Sequence, residues 1–494
     1  MESNHVDMTW RDSANRVAFA ARRACLPLVL LWSIGSLAGA EDAQESEYQK
    51  RWKAGANAVA RLQRFAARWC ADNGLEGAAT NEWEESLLLE PDNEDARKGL
   101  GFVRKKGEWV RPEDYSVERE NRGEPKQIGD ALDTYRKKRT GIVSAAERDL
   151  VPLARWAAEK GFKERSKRLW TLVRLFDPGN ADACEAIGWK ETGGRWYPEA
   201  EAASRKMARD LLENGDGGKA VKEASEVTAP MDAKFERRRS GHFTFEGRAT
   251  QDQLANWLRG SEAVRTLMFD LLAPDEQKRP AGVTGVFLTS NGEHVKFLEK
   301  CTPMSEDERT TYATLGGWTT FTPSIVFELW TKGEFPEYHR EAAIHITAHM
   351  LFQGTWGIAK PAPWLSEGFA LWFTDRLTGS ALARCTDLMG NKMGEDRSPS
   401  TATWRSRLRS RMREASAPTL RAVFRAHADD LDMDKNIVSW SFVSFLASQP
   451  EVFRKFVQRV AEGEEEIDAL FETLDAKDYD AIQAKWEVWV RDNS

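Results

Sequence analysis

Beyond its first forty residues the chain contains no run of 18 apolar residues, so nothing after that point is long enough to span a bilayer. Cysteine is scarce, five in 494 residues, and no two stand as Cys-x-x-Cys, which argues against a cysteine-built metal site. An excess of one charge is missing too. Lys and Arg number 71 against 78 Asp and Glu, mixed along the chain for a net charge of −7, so no dedicated nucleic-acid surface is expected. What is present is ordinary globular material, 41% hydrophobic and 30% charged, enough for sizeable cores. The length calls for two or more domains. Twenty Trp residues are many, and core packing is their ordinary use.

The N-terminus has the pattern of an export signal, residues 1–40. Arg16, Arg22 and Arg23 precede an apolar run from Leu26 to Trp32, and Ala38-Gly39-Ala40 fits a cleavage site. No lipidation box surrounds Cys25. The expectation is a secreted or periplasmic protein beginning near Glu41, without a membrane span. Four cysteines then remain, Cys70, Cys184, Cys301 and Cys385. Export permits disulfides, and one bridge or buried free thiols are both open.

Residues 41–230 are helical in pattern and repeat themselves at an offset of 87. Ala67-Arg68-Trp69 recurs as Ala154-Arg155-Trp156, Trp83 as Trp170, Pro91 as Pro178, and Asn93-x-Asp95-Ala96 as Asn180-x-Asp182-Ala183. Gly107-x-Trp109 recurs as Gly194-x-Trp196. So many matches at one ungapped offset read as an internal duplication. Gly74 and Gly161 suit left-handed helix caps, Asn93 and Asn180 suit N-caps, and Gly-x-Trp suits a turn or hairpin. Each helical pair loosely resembles a tetratricopeptide unit, which implies either a concave binding surface or a spacer. Residues 112–150 read as a charged helical linker.

Around Gly215–Pro230 the composition shifts, and residues 231–494 mix α and β signals. The whole is expected to be α+β, all-α first. Strands are predicted at Phe243-Thr244-Phe245, Val286-Phe287-Leu288 and Ser324–Leu329. Helices are predicted at 251–273 and 294–301, with a mainly helical C-terminus from Thr403. Chemistry concentrates in His345-Ile346-Thr347-Ala348-His349, where two histidines one turn apart share a helix face. Eighteen residues past His349 comes Glu367, in Trp364-Leu365-Ser366-Glu367-Gly368-Phe369-Ala370. Two His and one carboxylate with an open fourth position describe a catalytic zinc site.

This pattern resembles the gluzincin peptidases, in which His-Glu-x-x-His is followed by a glutamate in a Trp-Leu-x-Glu-Gly helix. The resemblance covers the C-terminal half. It implies a thermolysin-like fold, zinc on His345, His349 and Glu367, and a peptide or cell-envelope protein lying against an edge strand such as 324–329. One departure is specific. The general base of the family follows the first histidine, and here that residue is Ile346, which accepts no proton. The tyrosine that often stabilises the oxyanion in related enzymes is also missing near Asn436–Ser441. Glu341, one turn before His345, is either a substitute base or a first-turn charge favoured by the helix dipole. Asp375 stands behind the ligands or at the surface, and His339 is expected to be exposed at the helix start. The expectation is a zinc-binding, peptide-binding protein without catalysis. The alternatives are an active peptidase with an unusual base, or a repeat scaffold with a structural C-terminal domain.

Overall fold

The computed structural model describes residues 31–112, 120–280, 282–322, 324–330, 336–381 and 401–493. Most of the export-signal segment and both Cys25 and Cys385 lie outside the described residues. The chain forms two compact units, Met1–Lys53 and Ala54–Ser494. In the first, everything described is helix, the opening of α1 (Leu31–Asp72). No described helix is long and apolar enough to cross a membrane.

The helical half is built twice. After α1 come α2 (Glu76–Leu89), α3 (Glu94–Gly99) and a hairpin of β1 (Val103–Lys105) and β2 (Glu108–Val110). Then come α4 (Pro125–Glu159), α5 (Lys163–Phe176), α6 (Ala181–Ala186) and a second hairpin, β3 (Lys190–Thr192) with β4 (Arg195–Tyr197). From the end of the first helix onward, every boundary recurs 87 residues later. The local causes recur as well. Gly74 and Gly161 have φ of 74° and 81°, which suits glycine after a helix. The Asn93 and Asn180 side chains accept the backbone N–H of Ala96 and Ala183 at 3.0 Å. Arg68 pairs with Asp95, as Arg155 does with Asp182. The segment taken for a linker is, from Pro125, the long first helix of the second repeat.

The composition shift near residue 230 falls inside one compact unit. Helix α7 (Glu199–Asn214) packs on α8 (Gln251–Leu272), and the short β5 (Lys219–Ala220) already belongs to the main sheet. That sheet has six strands in the order β5, β6 (Glu236–Arg239), β7 (Phe243–Gly247), β8 (Val283–Leu288), β10 (Ile325–Trp330), β9 (Gly317–Thr320). Strands β7, β8 and β10 run parallel, and the others pair antiparallel. The fold is therefore α+β with a mixed sheet. The sequence placed 324–329 at the edge, but β10 is interior and β9 forms the edge beside it. The reason is visible in β10, where Ile325 through Leu329 are all buried; a strand covered on both faces belongs inside a sheet.

One sheet face, through Phe243, Phe245, Phe287 and Phe327, packs into the main core with α8, α11 (Pro336–Trp356) and α12 (Pro363–Thr378). The other, through Val286, Leu288 and Val326, packs on α9 (Asn291–Cys301), and the short α10 (Glu306–Tyr312) follows it. Among the described residues the C-terminus adds α13 (Trp404–Arg413), α14 (Leu420–Phe424), α15 (Met433–Ala447), α16 (Pro450–Ala461), α17 (Glu466–Thr473) and α18 (Tyr479–Asn493). Cys70, Cys184 and Cys301 are free thiols, the first two buried.

Candidate metal centre

From His339 to Phe352, helix α11 buries every residue except Arg340, which is half-buried. A helix apolar all round is a core helix, so each polar side chain on it needs a partner. His345 and His349 lie one turn apart, and their Nε2 atoms approach to 3.1 Å. The Glu367 Oε2, on α12, lies 3.4 Å from the His345 Nε2 and 3.6 Å from that of His349. Among the described residues this is the one group of three His, Cys, Asp or Glu whose ligand atoms converge, all within 4.8 Å. A tetrahedral ion held at about 2.0–2.2 Å by N and O ligands sets ligand–ligand edges of about 3.3–3.6 Å. The three separations fall close to that range, so the buried group fits a metal ion of this size.

The supports of the cluster are local. Gly368, next to Glu367, lets α12 approach α15: a Cβ there would stand 2.7 Å from the Ser439 carbonyl oxygen. Ser366, from the same turn of α12, meets the Nδ1 of His349 at 2.7 Å. A Nδ1–H donated to Ser366 Oγ leaves the Nε2 lone pair facing the other two ligand atoms. Burial lowers the pKa of His349, aided by the neighbouring His345, and so favours the neutral ring. Burial alone would raise the pKa of Glu367, but His345 and His349 hold it well below the ordinary carboxylate range. A neutral imidazole and an ionised carboxylate are the forms that bind a metal.

The remaining candidates are placed as follows. Ile346 is buried in the main core, 8% exposed, so an apolar side chain fills the position of the expected base. Glu341 lies in the second turn of α11 rather than the first and is buried, and its Oε2 accepts a hydrogen bond from Ser380 Oγ at 3.1 Å. Asp375 is not at the surface: it is buried and paired with Arg205 of α7 at 2.5 Å, with Trp440 Nε1 donating to it at 3.3 Å. His339 is buried as well, its ring 5.3 Å from that of Trp257 on α8. The sequence read it as exposed because α11 was expected to start there; the helix starts three residues earlier and α8 covers it. His242 pairs with Glu262 at 2.9 Å, His294 with Glu328 at 2.8 Å, and His427 is exposed, so none of them joins the cluster. Helix α15 presents buried Asn436, Ser439, Trp440 and Ser441, and no tyrosine. Ser366 is the functional residue the sequence did not single out: it fills the variable position of its motif, and nothing in the spacing shows that it reaches back to His349.

No protein-family model matches the chain. No curated protein matches it either. Fold and site together define an α+β protein with a buried two-histidine, one-carboxylate group on adjacent core helices.

Proposed function

We propose that the C-terminal half is a gluzincin-like, thermolysin-like domain that holds zinc and binds a peptide or a segment of a cell-envelope protein without cleaving it. The observation that carries this reading is the convergence of His345 Nε2, His349 Nε2 and Glu367 Oε2 beside an apolar Ile346. Two imidazoles and one carboxylate suit zinc better than calcium or magnesium, which take oxygen ligands. A bound zinc would supply Lewis acidity toward a carbonyl or water at the open position. Among the described residues, the candidate replacement base Glu341 is buried and engaged by Ser380.

A peptide ligand would add to the edge strand β9 through its outward backbone groups, the usual mode of binding at a sheet edge. The duplicated helices, tetratricopeptide-like in sequence, would add a second contact surface. Export completes the reading, with the mature chain starting near Glu41. The test is hydrolysis of a mixed peptide library by the purified chain beside His345→Ala. Equal, background-level cleavage by both is expected. Efficient cleavage by wild type that His345→Ala loses would overturn the non-catalytic reading and move attention to Glu341.

A further inference from the structure

The duplication supplies an internal control, because corresponding residues of the two repeats can be compared at one offset. Around the first hairpin stand Arg97, Lys98, Arg104, Lys105, Lys106 and Arg111. Their counterparts are Cys184, Glu185, Glu191, Thr192, Gly193 and Pro198, none a cation; the second hairpin's own cations, Lys190 and Arg195, stand where the first has Val103 and Glu108. Arg104, Lys105, Lys106 and Arg111 are exposed. Since side chains alternate along a strand, Phe102, Arg104, Trp109 and Arg111 share one hairpin face. There the guanidinium of Arg111 lies 4.6 Å from the Phe102 ring centre and that of Arg104 5.0 Å from Trp109, with Arg97 at 5.4 Å from Phe102. Stacking restricts these planar forks; Arg104 and Arg111 are exposed, while Arg97 Nε donates to the Pro91 carbonyl at 2.9 Å. The other face carries Val103 and Val110, cross-strand partners that are 42% and 38% exposed.

Two details separate this hairpin from its duplicate. The counterpart of Val110 is Tyr197, which is buried with Arg205 4.4 Å from its ring centre, so the second hairpin packs inward. The tip residue Lys106 has φ of 52°, where the second repeat has Gly193 at 61°. A side chain in that left-handed region costs about 1 kcal/mol. A cation stands at the tip against the local backbone preference.

We propose that the first hairpin is a docking surface for an anionic phospholipid bilayer. Phosphate headgroups match the presented forks. The exposed valine pair on the other face of the basic hairpin suits the boundary between headgroups and acyl chains. A single-stranded nucleic acid fits less well, because the aromatic faces it would stack on are already covered by guanidinium groups. The proposal is independent of the metal centre.

The test is co-sedimentation of the full chain with phosphatidylcholine vesicles, with and without phosphatidylglycerol, beside a heparin-binding measurement in the same buffer. Binding is expected only with the anionic lipid, weakening as salt is added. The combined Arg104→Ser, Lys105→Thr and Lys106→Gly variant should bind about 100-fold more weakly, from the usual worth of three basic residues at such a surface. Lys106→Gly alone relieves the tip backbone and so keeps the fold; it should bind about fivefold more weakly. Lys190→Ser in the second hairpin should change nothing. Equal binding to neutral vesicles, undiminished binding by both tip variants, or capture by heparin with none by vesicles would each overturn the proposal.

Discussion

Between His345 and Thr347, the side chain of Ile346 is enclosed by the main core, while the Thr347 hydroxyl is matched by Ser261 of α8 at 2.9 Å. At the position where the resemblance implies a general base, the side chain is hydrocarbon. Ile346→Glu therefore tests whether the rest of the cleft is still fit for chemistry. The variant should gain chelator-sensitive peptide hydrolysis, about 10²-fold or more over wild type, because general acid–base catalysis typically contributes that much. It should also lose about 1–3 kcal/mol of stability in a denaturant titration, since a carboxylate replaces a buried hydrocarbon. Unchanged background hydrolysis in a folded, zinc-loaded variant would mean that more than the base is missing, with the absent oxyanion tyrosine the first suspect.

Helices α12 and α15 pack closely where Gly368 faces the Ser439 carbonyl, and this contact fixes the height of Glu367 above α11. Gly368→Ala places a methyl group 2.7 Å from that oxygen, within van der Waals repulsion and against backbone. The expected cost is about 1–3 kcal/mol in unfolding free energy, together with weaker metal retention. A variant as stable as wild type would show that the helices part without cost. Element-scale features were unevenly legible in the sequence. Duplicated caps and hairpins could be read because Gly74, Asn93 and Trp109 have counterparts 87 residues on. The ligand triad could be read because i, i+4 spacing on a helix is a local matter. The place of β10 inside the sheet could not, since its apolar run suits an edge or an interior strand until its partners are known. The burial of His339 and of Asp375 was not legible for a related reason: α8 and α7 cover them, and those contacts span 82 and 170 residues of sequence.

At the scale of the molecule, α7, which follows the second repeat, is joined to α12 and α13 by buried ion pairs. Arg205 of α7 meets Asp375 of α12 at 2.5 Å and Glu201 at 3.0 Å, and Arg405 reaches the same Glu201 at 2.5 Å. Burial opposes ionisation of Asp375 and Glu201, but these guanidinium groups prevail and hold both carboxyls low. Carboxyls depressed in the folded state give stability that is present above the unfolded value, about 4, and lost as pH falls through their folded values. Thermal stability should be flat from neutral pH to about 5 and fall below about 4. Asp375→Ala, which leaves Arg205 buried with one of its two carboxylate partners, should lose about 3 kcal/mol at neutral pH and show a shallower acid decline. An acid decline as steep as that of wild type would place the sensitive groups elsewhere. Zinc binding by the triad can be read directly by elemental analysis of the purified chain beside Glu367→Ala and His345→Ala. One zinc per wild-type chain and little or none in either variant is expected. Wild type without zinc, or Glu367→Ala with an undiminished zinc content, would contradict it.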